Sequence, residues 1–280
     1  MSDRNGEWAI RHILVALDGS RHSLAAMEAA VGLAASLESE LVGLFVEDVS
    51  LLRAAEAPGA GELKYPATAA ALDRSRMERH LQAQGSRVQR VLSRTCRAHG
   101  VPWTFRTARG QVIAEVLNAA TEADLLCLGK RGRPLLGRAR PGSTALMAAA
   151  QAPSSVLLLT QEGPLAPPVM VTFDGSPVSR QALALSAHLA EVLGQALTVI
   201  LVADEETPPI QELQIQAARL LQQRELVPTY RRLIDRRVEN LIHSVVAEGT
   251  GTLVLDASLF EPTSFSQLVA GVACPILVMR

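Results

Sequence analysis

Residues able to hold an anion cluster between Leu125 and Thr144, which read LLCLGKRGRPLLGRARPGST. A short apolar run, Leu125 to Leu128, has the look of a buried strand and stops at Gly129. Gly132 follows, then Gly142 with Ser143 and Thr144 directly behind it, and an apolar helix begins at Ala145. Strand, glycine-rich loop, hydroxyl residues, helix is an order that brings backbone close to a ligand, because glycine carries no Cβ and tolerates positive φ. Free N–H groups and the partial positive charge at a helix N-terminus favour a phosphate there. Lys130, Arg131, Arg133, Arg138 and Arg140 add cationic side chains to the same loop. Plain helix capping by Ser143 or Thr144 and ordinary solvation of the arginines are the competing readings. The loop is neither a Walker A motif nor Gly-x-Gly-x-x-Gly.

The elements that must position this loop alternate. Ile10–Leu17 reads as a strand ending in Asp18-Gly19-Ser20, and Leu24, Met27, Val31 and Ala34 mark a helix. Leu41–Val46 is a second buried strand, followed by Glu47 and Asp48. Residues from about Ser50 to Ala70 read as a long loop with one helical turn, and Leu72–His99 as a long polar helix with Leu81, Val88, Val91 and Leu92 inward. Val101–Thr107 is a strand, Gly110–Ala120 a helix, and Ser155–Leu159 a last strand behind Pro153. Such β-α alternation predicts an α/β fold with a parallel sheet covered on both faces. Ligands of such sheets sit beyond the carboxyl ends of the strands, where the strand order reverses. Asp18, Val46 with Glu47 and Asp48, and the Gly129 loop all fall at such ends.

A proline-rich stretch, Gln161–Pro168, reads as a linker, and beyond it the chain starts again. Val169–Ser176 (VMVTFDGS) mirrors Ile13–Ser20 (ILVALDGS), and Leu197–Val202 mirrors Leu41–Val46 with the same offset. Leu213–Leu226 repeats the long helix, Val238–Val246 the next one, and Leu253–Leu255 the buried strand. Ala273–Met279 mirrors Ala152–Leu158, with Pro275 set against Pro153. The copies diverge after Leu255: the second reads DASLFEPTSFSQ, without Gly-x2-Gly and without Lys or Arg up to Cys274. Asp256 and Glu261 place negative charge where a phosphate would lie.

With 280 residues, 48% of them hydrophobic and 20% charged, the chain has ample core for one large domain or two of ordinary size. A net charge of −1 supplies no global attraction to nucleic acid or to an anionic membrane. Three widely spaced cysteines, Cys96, Cys127 and Cys274, fit a reducing compartment better than a disulfide scaffold. No segment reaches the roughly 18 uninterrupted apolar residues of a membrane span, and Met1–His12 shows no apolar signal region. A cytoplasmic protein is expected. Cys96 and His99 have metal-ligand spacing without a second pair, and Glu47 with Asp48 read as solvated carboxylates before Mg²⁺ ligands. His22, close to Asp18, reads as standing near a phosphate or as merely exposed, with the exposed reading preferred. No catalytic triad or recognisable general base stands out.

Gly-x2-Gly-x9-Gly-Ser at Gly129, Gly132, Gly142 and Ser143 resembles the ATP-binding signature of the universal stress protein (UspA-type) family, and tandem duplication is common in that family. The resemblance covers nearly the whole chain. It implies two repeated, open, parallel five-stranded sheets with helices on both faces, a Rossmann-like arrangement: residues 1–163 with an intact signature and 164–280 degenerate. It further implies an adenine nucleotide, ATP with ADP and AMP as alternatives, with or without Mg²⁺. Asp18 would contact the ribose or adenine end, the Val46 backbone the adenine edge, and Leu128 part of the pocket wall. Gly129, Gly132 and Gly142 would admit backbone donors to the phosphates, with Ser143 and Thr144 offering hydroxyls. The implied role is a stress-response or regulatory binding module with an unidentified protein partner. Its two halves would pair within the chain, or copies would form a homodimer. The rivals are a slow nucleotide hydrolase and a nucleic-acid binder using the 130–140 loop, the latter disfavoured by the lack of stacking aromatics near that loop.

Overall fold

The structure is a computed structural model, and it describes residues 10–56, 74–130, 142–159, 165, 167–203, 207–233, 235–249 and 251–280. The first half runs β1 (His12–Leu17), α1 (Arg21–Ser36), β2 (Glu40–Asp48), α2 (Val49–Glu56), α3 (Arg74–His99), β3 (Trp103–Gly110), α4 (Val112–Ala120), β4 (Leu125–Gly129), α5 (Ser143–Gln151) and β5 (Ser155–Leu159). The second runs β6 (Val169–Phe173), α6 (Pro177–Leu193), β7 (Leu197–Val202), α7 (Ile210–Leu221), β8 (Thr229–Leu233), α8 (Val238–Ala247), β9 (Thr252–Asp256), α9 (Pro262–Gly271) and β10 (Ile276–Met279).

Each half is a parallel five-stranded unit, in the order β3-β2-β1-β4-β5 and its repeat β8-β7-β6-β9-β10. The halves join edge to edge. β5 and β10 pair antiparallel, with Val156, Leu157 and Leu158 opposite Val278, Leu277 and Ile276, so ten strands form one sheet. Both edges of that junction are apolar and buried, which removes two ladders of unpaired backbone groups from water. Alternation of side chains across the pleat then sends each strand into two cores. Ile13, Val15, Cys127, Leu157, Val171, Val254 and Leu277 face α1, α3, α6 and α7. Leu14, Leu126, Val156, Met170, Leu255 and Val278 face α4, α5, α8 and α9. Each core is continuous from one half into the other.

Local sequence accounts for most elements. Ser20 and Ser176 cap α1 and α6 by accepting from the Ser23 and Ser179 amides, and Gly194 ends α6 at φ 61°. Gly43 is required by close packing, since a Cβ there would lie 2.4 Å from Leu92 Cδ2. Several expectations need adjustment. The 50–70 stretch opens with the eight-residue helix α2, and the rest of it, through residue 73, lies outside the described residues. β8 has no counterpart in the sequence pattern: Thr229–Leu233 (TYRRL) is an edge strand with a polar, exposed pattern, and it gives no apolar run to recognise. Strand register also moves one correspondence. Leu253 pairs with Ile276 and Leu126 with Val156, so Pro275 is equivalent to Ser155, two places away from Pro153.

Cys96, Cys127 and Cys274 are free and buried. Burial pushes the Cys96 thiol up to about 11 and the Cys127 thiol higher still. Cys96 points into the core while His99 is exposed, so the pair does not converge on a common ligand.

Candidate functional site

At the carboxyl ends of the first half's strands, β1 lies between β2 and β4; the connection from β1 runs to β2 and the one from β4 runs to β5, in opposite directions, so the strand order reverses here. Asp18 follows β1 directly. Its Oδ1 accepts from the Ser20 amide at 2.9 Å, Gly19 turns the chain at φ +71°, and Gln84 from α3 donates to the Asp18 carbonyl. This DGS motif also caps α1, through the Ser20 hydroxyl. Val46, at the end of β2, is in register with Ala108, and its half-buried side chain packs on the second core.

The carboxyl end of β4 supplies the next piece. Leu128 is buried in the second core beside α5. Gly129 closes the strand, and a Cβ on it would meet the carbonyl carbon and oxygen of His22 at 3.1 Å. A glycine is needed here to let the first turn of α1 approach. His22 is half-buried, correcting the exposed reading, and its Nδ1 is buried with no hydrogen-bond partner among the described residues. The Lys130 amide donates to Leu159 O at 2.6 Å and its carbonyl accepts from the Gly142 amide at 3.1 Å. These bonds draw together both ends of the loop and set the start of α5 beside the end of β4. Gly142 is the N-cap of α5, and among the described residues no side chain caps that helix. Its first-turn donors thus lack the service that Ser20 gives α1. Thr144 sits half-buried in that turn. Residues 131–141, including Gly132, Arg131, Arg133, Arg138 and Arg140, lie outside the described residues, as does the side chain of Ser143.

Two expected loop and strand-end charges are spoken for elsewhere. Lys130 is only 5% exposed, and its Nζ donates to the carbonyl of Val272, just past α9 in the other half. It is a tie across the joint. Glu47 is buried and held by Arg109, whose Nε and a terminal nitrogen both lie 2.8 Å from Oε2, while Arg109 also reaches Glu78 on α3 at 3.3 Å. Asp48 caps α2, accepting from the Ser50 amide and hydroxyl at 2.8 and 2.6 Å. Glu47 is therefore not the solvated carboxylate that the sequence suggested. No signal in the sequence pairs it with Arg109, which is 62 residues away.

The repeat treats the same place differently. Ladder register makes Asp256 the counterpart of Gly129, since Cys127 pairs with Val15 and Val254 with Val171. Asp256 is buried, and it accepts from the Ser176 hydroxyl at 3.2 Å and from the Ser258 amide and hydroxyl at 2.7 and 2.8 Å. Asp174, the counterpart of Asp18, accepts from the Ser176 amide at 2.9 Å and lies 3.5 Å from Arg236. Burial by itself would raise the Asp174 carboxyl, but hydrogen bonds from Ser176 and Ser179 with the charge of Arg236 hold it below the usual carboxylate range. The second half fills its strand ends with its own carboxylates, hydroxyls and guanidinium.

Sequence comparison adds a family to this geometry. A model of the Universal stress protein family matches residues 9–160, more than half of the chain. The chain belongs to the universal stress protein family. No curated protein matches this universal stress protein. Among solved structures, a universal stress protein from Archaeoglobus fulgidus DSM 4304 has a TM-score of 0.72 at 14% identity, covering 96% of this chain and 98% of that one. A functionally unknown protein from Pseudomonas aeruginosa PAO1 has a TM-score of 0.57 at 14% identity, covering 97% and 92%. These two share the fold of both halves. A universal stress protein solved in complex with cAMP matches over 54% of this chain and 98% of its own, at 22% identity and a TM-score of 0.38. No helix among the described residues of this universal stress protein is long and apolar enough to cross a membrane.

Proposed function

We propose that the N-terminal half binds one adenine nucleotide per chain, ATP with ADP or AMP as alternatives, and that the protein acts as a nucleotide-dependent stress-response or regulatory binding module. The observation that carries this reading is the N-terminus of α5, which no side chain caps among the described residues, held beside Gly129 at the point where strand order reverses. The buried Nδ1 of His22 next to Gly129, without a partner among the described residues, is a second polar group open to a ligand. The Gly-x2-Gly-x9-Gly-Ser spacing supplies the loop between them. Phosphates fit this place: backbone donors and the start of a nine-residue helix meet there. Asp18, Val46 and Leu128 lie at or beside the same strand ends and would take the nucleoside end. Because Glu47 is committed to Arg109, any Mg²⁺ would arrive with the phosphates and not on the 47–48 pair.

The action is a binding switch. Nucleotide orders the 129–144 loop and changes the surface offered to a protein partner, to the extent that it binds one loop state more tightly than another. Titration calorimetry should give one ATP per chain. Gly132→Val should abolish binding through loss of close backbone approach. Asp18→Asn, which keeps an acceptor for the Ser20 amide, should weaken binding by about 1–3 kcal/mol, while Asp174→Asn should leave it unchanged. A stoichiometry of two, or binding that survives Gly132→Val, refutes the placement. Turnover on the order of 1 s⁻¹ or faster would replace the module with a hydrolase.

A further inference from the structure

The outward face of α3 is built from one kind of charge. Arg76, Arg79, Arg87, Arg90, Arg94 and Arg97 are all exposed. At roughly 100° per residue they fall within an arc of about 80°, directly opposite the buried Leu81, Gly85, Val88, Leu92 and Cys96. From Arg76 to Arg97 the row is about 31 Å long, taking about 1.5 Å per residue. A merely solvated helix face mixes signs, with acids placed three or four residues from bases. Here the helix has one acid, Glu78, which lies outside that arc and is tied to Arg74 and Arg109. Arg79 and Arg90 are steadied through Nε by the carbonyls of Ser75 and Ser86. The equivalent helix of the second half, α7, has Arg219 as its single base. The row is a property of the first half and not of the fold.

Beside its C-terminal end, a groove of about 450 Å³ is lined by Gln89, Arg90, Ser93, Arg94, Arg97 and Trp103. Trp103, the first residue of the edge strand β3, is half-buried and carries an indole into this groove. Cations in a line with an aromatic ring alongside are what a single strand of nucleic acid requires: phosphates along the row and a base stacked on the ring. An acidic protein would use the arginines but has no need of the indole. We propose that the exposed face of α3, with Trp103, binds single-stranded nucleic acid. The surface uses no residue of the 130–140 loop and is independent of the nucleotide reading.

Fluorescence anisotropy of a labelled oligo-dT or oligo-U of about 20 nucleotides tests this on the full chain. Six phosphate contacts give a log–log salt slope of about −4, or on the order of a 300-fold loss between about 50 and 200 mM salt. Substituting all six arginines by Gln should abolish binding, with the circular dichroism spectrum retained because every substituted side chain is exposed. Trp103→Ala should weaken binding about tenfold and leave the slope unchanged, since stacking releases no counterions. Saturating ATP should have no effect. Four results overturn the proposal: unchanged binding in the six-fold variant, loss of binding when Arg131, Arg133, Arg138 and Arg140 are substituted instead, indifference to Trp103→Ala, or displacement of the oligonucleotide by poly-glutamate of equal charge.

Discussion

Replacing Lys130 by Met separates two roles that the sequence places on one residue. As a cation next to Gly129 in a glycine-rich loop, Lys130 reads as a phosphate ligand. In the folded chain its ammonium is buried and donates to Val272 O across the joint between the halves. Methionine keeps most of the side-chain volume but removes the donor. The lost bond has a charged donor, worth about 1.5–3 kcal/mol, and the Val272 carbonyl is left dry. Part of that loss is offset because an ammonium no longer has to be taken out of water. A net destabilisation of about 1–2 kcal/mol follows, which lowers Tm by about 2–8 °C at roughly 2–4 °C per kcal/mol. Nucleotide affinity, by contrast, should change by less than about threefold, under 0.7 kcal/mol or so. Differential scanning calorimetry and isothermal titration calorimetry on the same preparation give both quantities. A tenfold or greater loss of ATP affinity at unchanged Tm would refute the assignment and return Lys130 to the phosphates.

Gly129→Val should destabilise the chain by about 1–3 kcal/mol, as overpacking does, because the new side chain meets the backbone of His22 and not a movable side-chain end; chemical denaturation checks this, and a neutral result would show that α1 can retreat. Residues 1–163 expressed alone should self-associate, since β5 loses β10 and bares an apolar edge; a monomer by light scattering would contradict it. Asp174 has a folded pKa below its unfolded value, so its contribution is present above the unfolded pKa, about 3.9, and is lost as pH falls through the folded value. The stability gap between the native chain and Asp174→Asn should accordingly be full at pH 6 or so and shrink below about pH 4, and a gap independent of pH would show that Arg236 and the serines do not favour the charged form. Cys96, with its thiol raised to about 11 by burial, should resist Ellman's reagent at about pH 8 until the chain is unfolded, and rapid labelling of the native protein would contradict that burial.

Sequence alone determined whatever depends on neighbours along the chain. Continuous apolar runs located β1, β5 and β7, and apolar residues three and four apart located α1, because strands buried on both faces and amphipathic helices each leave their own pattern. The repeated DGS turn and buried strands identified the duplication, and Gly-x2-Gly-x9-Gly-Ser pointed to the family that the match over 9–160 then established. Tertiary structure decided whatever depends on groups distant in sequence. Thr229–Leu233 became a strand because the open edge of β7 accepts its backbone, and its side chains need no apolar pattern there. Lys130 went to Val272, 142 residues away, and Glu47 to Arg109, because charges that folding buries must find a partner wherever packing delivers one. The difference between Gly129, closed against His22, and Asp256, closed by Ser176 and Ser258, is likewise a contact between segments. Spacing along a chain specifies local conformation, whereas the partner of a buried polar group is specified only once the sheet has set its strands in order.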